Sequence, residues 1–361
     1  MLDRPLICAV LTQPDRIKGF DLPNWQALLS QGYSARLLGR LYSLFTEREL
    51  FRYVPDELKW HFSSAFELSL SHARDMHIEV EKVEAALRMV GIVPVFLKGV
   101  AYDLASDRSG KGRLYADVDI YVPVEQLPSA EHALGLHGWR SEKLSDYDNE
   151  YYRRWMHEIP PLVHAERAVT LDVHHSLLPL TCRYAFSAKR LMMESTMGGH
   201  RILCNTDRIL HAICHLFMES EYDKGLRDLS DLDLLLRQHA ETDPLFWTRL
   251  LERADDLGVG RLCFYALRYT LMIFNTPIPE DVAEQSQRKW APNPIVLRLA
   301  DSLFLRVLTT PPPTDGNLSI RLAHFAMYVR GHWLRMPLRL LIPHLLRKGW
   351  MGLSAGLSKQ N

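Results

Sequence analysis

Residues 93–123 read VPVFLKGVAYDLASDRSGKGRLYADVDIYVP, and residues 169–177 read VTLDVHHSL. The apolar, β-branched run from Ile92 to Leu97 ends in Lys98-Gly99. A short helical segment and a Gly-rich, basic loop follow, then a second apolar run carrying Asp117 and Asp119. Successive side chains of a strand alternate faces, so these two carboxylates point the same way, with Cα atoms about 7 Å apart. Val118, Ile120 and Val122 take the opposite face and anchor it. Two acids so placed can converge on one hard cation, and burying them without one is costly. The pair therefore reads as a magnesium platform. A third acid, Asp172, sits mid-strand in an otherwise apolar segment, where an unpaired carboxylate is expensive. Leu171, Val173 and His175 share one face of that strand, Asp172 and His174 the other.

Working outward, residues 1–90 carry helical spacing. Trp25, Leu28, Leu29, Leu37, Leu38, Leu41 and Leu44 recur every three or four positions, with Pro23 and Pro55 near helix starts. The longest pattern, 56–90, closes at Gly91 and feeds directly into the first core strand, which predicts packing against the sheet. Residues 92–200 alternate: a helix over VEQLPSAEHALGLHG ending at Gly138, then strands in WRSEKL, EIPPLVHA and VTLDVHHSL. From Thr206 the pattern is helical again, with Thr206 and Asp207 as cap candidates. The Pro311–Gly316 stretch reads as a linker, followed by a helical tail from Leu318 to Leu353. The spacing thus predicts an α/β core over 91–200 between an N-terminal helical region, 1–90, and a C-terminal one, 201–361.

Composition bounds the function. Lys plus Arg and Asp plus Glu balance at 43 each, so no global field argues for nucleic acid. The five cysteines are scattered and never in CxxC spacing, which fits a reducing cytoplasm and offers no cysteine-based zinc site. The N-terminus lacks the apolar core of a signal peptide, and no apolar run approaches the ~18 residues of a membrane span. His211 and His215 have i,i+4 ligand spacing without the glutamate of HExxH, and read as a packed helix face. Asp228 and Asp231 beside Arg227 read as structural ion pairs. The tail interleaves Arg with Trp, Leu and Phe, as interfacial helices do, although Pro337 and Pro343 interrupt it. Packing onto the C-terminal helices is the expected state, with membrane-surface contact as the other reading.

Taken together, Leu97-Lys98-Gly99, Arg113, Asp117-Val118-Asp119-Ile120 and the Leu171–His174 segment resemble the nucleotidyltransferases of the polymerase β superfamily. More narrowly, they are similar to a bacterial family whose signature is a strand ending in Leu-Lys-Gly and an Arg shortly before Asp-Ile-Asp-Leu-Leu-Val. The stretch with His211 and His215, followed by Arg227 to Leu232, is similar to that family's helical region. The resemblance covers roughly residues 80–240. It departs at Gly99-Val100, where the superfamily usually has Gly-Ser or Gly-Gly; the hydroxyl that often touches phosphate is missing, leaving that contact to Lys98.

The resemblance implies a polymerase β-like core with a mixed sheet, flanked by helical regions. It implies metal-dependent transfer of a nucleoside monophosphate from a nucleoside triphosphate (NTP) to an acceptor hydroxyl, with release of pyrophosphate. Asp117, Asp119 and Asp172 would hold Mg2+ or Mn2+, and Asp172 would help deprotonate the acceptor. Lys98, Gly99 and Arg113 would meet the triphosphate. His174, on the face of Asp172, reads either as an acceptor contact or as a strand histidine hydrogen-bonded at the sheet surface. Phosphoryl transfer by the same metals, or a nucleotide-binding scaffold without chemistry, are the alternatives. The acceptor, whether small molecule, sugar, peptide or protein, is left open.

Overall fold

The structure is a computed structural model and describes residues 5–141, 152–153, 155–184, 186–310, 317–337 and 339. The chain opens with helices α1 (Leu6–Thr12), α2 (Leu22–Ser34) and α3 (Leu38–Glu47). Asp21 caps α2 by accepting from the Asn24 amide at 3.0 Å, with Pro23 in the first turn where its missing N–H costs nothing. α4 (Asp56–Arg88) is 33 residues long, about 50 Å at 1.5 Å per residue. Its first half buries Phe62 in a helical core, its second half Val80, Val83 and Leu87 in the core beneath the sheet. It stops where Gly91 adopts a φ of +73° and the amides of Gly91 and Ile92 return to Arg88 and Leu87, each at 3.0 Å. That closure satisfies the last carbonyls, and only glycine takes its left-handed turn without strain.

Among the described residues seven strands follow, with two longer helices between them. They are β1 (Val95–Leu97), β2 (Asp117–Tyr121), β3 (Trp139–Ser141), β4 (Leu162–His164), β5 (Thr170–His174), β6 (Met193–Ser195) and β7 (Arg201–Leu203). The helices are α5 (Lys98–Leu104) and α6 (Leu127–Leu136). The sheet order is β3-β4-β5-β2-β1-β7-β6, with β2 parallel to β5, β1 parallel to β7 and the other pairs antiparallel. Val118, Ile120, Leu171 and Val173 are fully buried on one face against α4 and α6, as strand alternation predicts. The architecture is thus mixed α/β with a seven-stranded mixed sheet.

The remaining helices are α7 (Asn205–Met218), α8 (Gly225–Thr242), α9 (Phe246–Asp256), α10 (Gly260–Phe274), α11 (Glu280–Trp290), α12 (Pro294–Thr309) and α13 (Leu318–Arg335). Trp25, Leu28 and Phe45 from the beginning of the chain share one core with Leu229, Leu232, Tyr269 and Phe304 from its later part. The two helical flanks are therefore one body, and α4 ties it to the sheet. The expected cap at Thr206-Asp207 is not made. α7 starts one residue earlier, and Asp207 accepts instead from the Met192 amide at 2.7 Å and pairs with Arg253. The tail helix α13 packs back onto α7 and α12: Ala323 and Met327 are buried, and Arg330 donates to the Phe217 carbonyl at 2.8 Å. The Pro311–Gly316 stretch, the second half of WRSEKL and nearly all of the tail beyond Pro337 lie outside the described residues. Among the described residues, no helix is long and apolar enough to cross a membrane.

Candidate active site

β1, β2 and β5 lie side by side, and their register sets Leu97 opposite Asp119 and Asp119 opposite Asp172. Strand alternation turns Asp117 to the same face as Asp119, so all three acids line one cleft of about 420 Å³. Lys98 follows β1 and takes a φ of +50°, a left-handed turn that costs a non-glycine residue about 1–2 kcal/mol. Its ammonium then donates to Asp119 Oδ1 at 2.6 Å. Gly99 serves packing here: a Cβ on it would lie 3.2 Å from Arg113 Nε and 3.3 Å from a Tyr115 ring carbon.

The electrostatics separate the three acids. Burial alone would raise Asp119, but Lys98 and the hydrogen bond from His174 outweigh it and hold this carboxyl well below the usual range. Lys98 in turn is held above its ordinary value, Asp119 overcoming the effect of burial. Asp172 is pushed up to about 8 by burial first, then by the charges of Asp119 and Glu158. Its Oδ1 is buried without a hydrogen-bond partner. Asp117 is also raised, by burial and then by Asp119. One lysine therefore serves a cluster of carboxylates and leaves a buried acceptor oxygen unmet. A hard divalent cation with oxygen ligands fits that donor set.

β4 and β5 bring further residues in. An isolated bridge pairs Glu158 with His174, which places His157 and Glu158 on the rim. His174 Nε2 lies 2.9 Å from Asp119 Oδ1 and 3.5 Å from Glu158 Oε2; His157 Nε2 is 3.7 Å from the same Glu158 oxygen. The His157 imidazole is held neutral by burial, well below its ordinary value. His174 is fully buried behind Asp119 and does not line the cleft. Of its two readings, the arrangement fits the hydrogen-bonded strand histidine, with Nε2 on Asp119.

The opposite wall comes from α7, α8 and the tail. Arg113 lines the cleft but is committed to Asp231, with Asp228 at 3.9 Å. Arg40 of α3 joins Asp231 at 2.6 Å and Ser230 at 2.7 Å, and Arg227 holds Asp228 at 2.6 Å. Burial lowers both Arg40 and Arg113 to about 10, with Arg227 adding to it. Asp228 and Asp231 are thus structural partners, as expected, and fasten α8 to the loop before β2. A buried pair of this kind holds geometry firmly because losing one partner strands the other. Lys224 stands at the mouth without an ion-pair partner among the described residues. On α7, His211 is buried and half-buried His215 lines the cleft, held down to about 4 by desolvation and then by Lys98. Arg335 of α13 reaches the cleft and pairs with Glu219 at 2.6 Å.

Of the residues singled out from sequence, Lys98, Gly99, Arg113, Asp117, Asp119 and Asp172 converge on the cleft. His157, Glu158, Lys224 and Arg335 were not anticipated. Glu158 heads the EIPPLVHA run, but only the bridge to His174 assigns it to the site, and spacing carries no trace of that. No curated protein and no solved structure matches the chain. A family described as an uncharacterised nucleotidyltransferase matches residues 21–275, a span that holds β1, β2, β5 and α8 and hence most of the cleft. The chain belongs to that nucleotidyltransferase family.

Proposed function

We propose that the cleft transfers a nucleoside monophosphate from an NTP to an acceptor hydroxyl. The acceptor oxygen attacks the α-phosphorus, the bond to the β-phosphate oxygen breaks, and pyrophosphate leaves. The observation that carries this reading is the register of β2 and β5, which sets Asp172, with an unmet buried oxygen, beside Asp119. Asp117, Asp119 and Asp172 would hold Mg2+ or Mn2+. Bound there, such ions would neutralise phosphate charge and align attacking and leaving oxygens.

The chain's own groups do the rest. Asp172, raised to about 8, keeps its own proton near neutral pH in the cation-free cleft; once that proton has been lost to cation binding, its carboxylate would be placed to take the acceptor's. Lys98 keeps Asp119 ionised and adds positive charge beside the phosphates. Arg113 is already engaged with Asp231, so Lys224 is the cation available at the mouth to meet a phosphate tail. His174 fixes the orientation of Asp119. Such chemistry needs positioning and charge neutralisation more than covalent participation. The free cysteines are consistent with work in a reducing cytoplasm. The test is a panel of the four NTPs with Mg2+ or Mn2+, following both binding and pyrophosphate release. Binding without release would leave a nucleotide-binding scaffold as the reading.

A further inference from the structure

We propose that His157, Glu158 and His174 form a second cation site, distinct in chemistry from the carboxylate cluster, that selects a zinc-class transition ion over Mg2+. The Nε2 atoms of both histidines face one oxygen, Glu158 Oε2, at 3.7 Å and 3.5 Å. One ligand atom from each of the three residues lies within 4.8 Å of the others. A tetrahedral ion with bonds of 2.0–2.1 Å has ligand–ligand edges of about 3.3 Å, so two of the three edges need only a few tenths of an ångström of closure.

Two imidazoles and a carboxylate are a donor set for zinc-class ions; Mg2+ prefers oxygen ligands and keeps its waters. The rings are also prepared for it. Nδ1 of His157 and of His174 is buried with no hydrogen-bond partner among the described residues, so nothing behind either ring fixes the proton there. Nε2 of His174 faces ionised Asp119 Oδ1 at 2.9 Å and carries the proton in the ion-free protein; an ion takes its place when that proton shifts to Nδ1 and frees the Nε2 lone pair. His157 and Glu158 line the cleft, which gives the ion a path in, while fully buried His174 lies behind them. The site does not depend on nucleotidyl transfer.

The test uses the full chain, stripped with a chelator and titrated with Zn2+ in the absence of nucleotide. One Zn2+ per chain is expected, retained against excess Mg2+. His157→Ala and Glu158→Gln should each weaken Zn2+ binding by at least ~10-fold, whereas Asp117→Asn should keep it. Zinc-edge X-ray absorption on the parent protein should show two imidazoles in the first shell, which decides the matter even where a variant fails to fold. Zn2+ binding in folded His157→Ala and Glu158→Gln equal to that of the parent overturns the proposal. So does a first shell without imidazole, or displacement of Zn2+ by Mg2+. Pyrophosphate release enters none of these readouts, so the fate of the transferase reading leaves the result intact.

Discussion

Asp172→Asn is the most revealing single substitution. It keeps size and shape but removes a buried charge that no hydrogen bond on Oδ1 compensates. In the folded chain this carboxyl moves from 3.8 to about 8. Between those values the folded protein holds a proton that the unfolded chain has released. The stability contributed is complete below pH ~4 and is lost as pH rises through ~8. At 1.36 kcal/mol per unit the ceiling is about 5–6 kcal/mol. The cleft is open to water and effective dielectrics in such sites are high, so a net effect of ~1–3 kcal/mol is expected. Asn escapes that loss. Thermal unfolding of parent and variant should therefore lie closest at or below pH ~4, with the variant melting several degrees higher at pH 9. Millimolar Mg2+ should raise the melting temperature of the parent at pH 9 and leave the variant nearly unmoved. Turnover should fall by at least ~10²-fold, the scale of general-base catalysis. A variant less stable than the parent at pH 9, or one that responds equally to Mg2+, would refute the assignment of an unneutralised carboxylate at the cation site.

Three other substitutions probe separate parts of the account. Asp117→Asn combined with Asp119→Asn should abolish Mg2+-dependent nucleotide binding in a folded protein, read by calorimetry alongside circular dichroism; binding equal to the parent's would remove the β2 pair from the site. Arg40→Met removes one of the two guanidinium groups on buried Asp231, leaving Arg113 as the other, and should cost about 1.5–3 kcal/mol, visible as a lowered unfolding midpoint in urea; an unchanged midpoint would mean that the α3–α8 ion network does not fasten the helical body. Truncation after Pro313 removes the buried Ala323 and Met327 and the Arg335–Glu219 pair, and should lower the melting temperature. The full-length chain should stay unbound to anionic liposomes at low salt, and sedimentation with them would reopen the membrane-surface reading of the tail.

What could be read from sequence was local. Strand alternation placed Asp117 and Asp119 on one face because it needs only neighbours, and the buried Val118 and Ile120 are its counterpart. Gly91 could be read as a helix stop because its turn is set by the residues beside it. Non-local pairing was not legible. Arg113 reads as a phosphate ligand when only its distance from Asp117 is known; its partner Asp231 comes from a helix far along the chain. Arg40 meets that same aspartate across 191 residues. Helical spacing identified the apolar faces of α2 and α3 but not their shared core with α8 and α10, because periodicity names a face and never its partner. The acid at 207 looked like a cap from its position alone. Its carboxylate went to Arg253 and the Met192 amide, which offer a buried acid more than a helix end does.

The most direct test of nucleotidyl transfer is the product balance from a doubly labelled NTP incubated with the protein and Mg2+ or Mn2+, using water or a hydroxyl panel as acceptor. The account predicts that the α-phosphate label stays with the nucleoside monophosphate or its acceptor adduct. The γ-label should leave as pyrophosphate in equal amount, and both should vanish in Asp119→Asn. Appearance of the γ-label on the acceptor or as inorganic phosphate, with a nucleoside diphosphate as the other product, would contradict it.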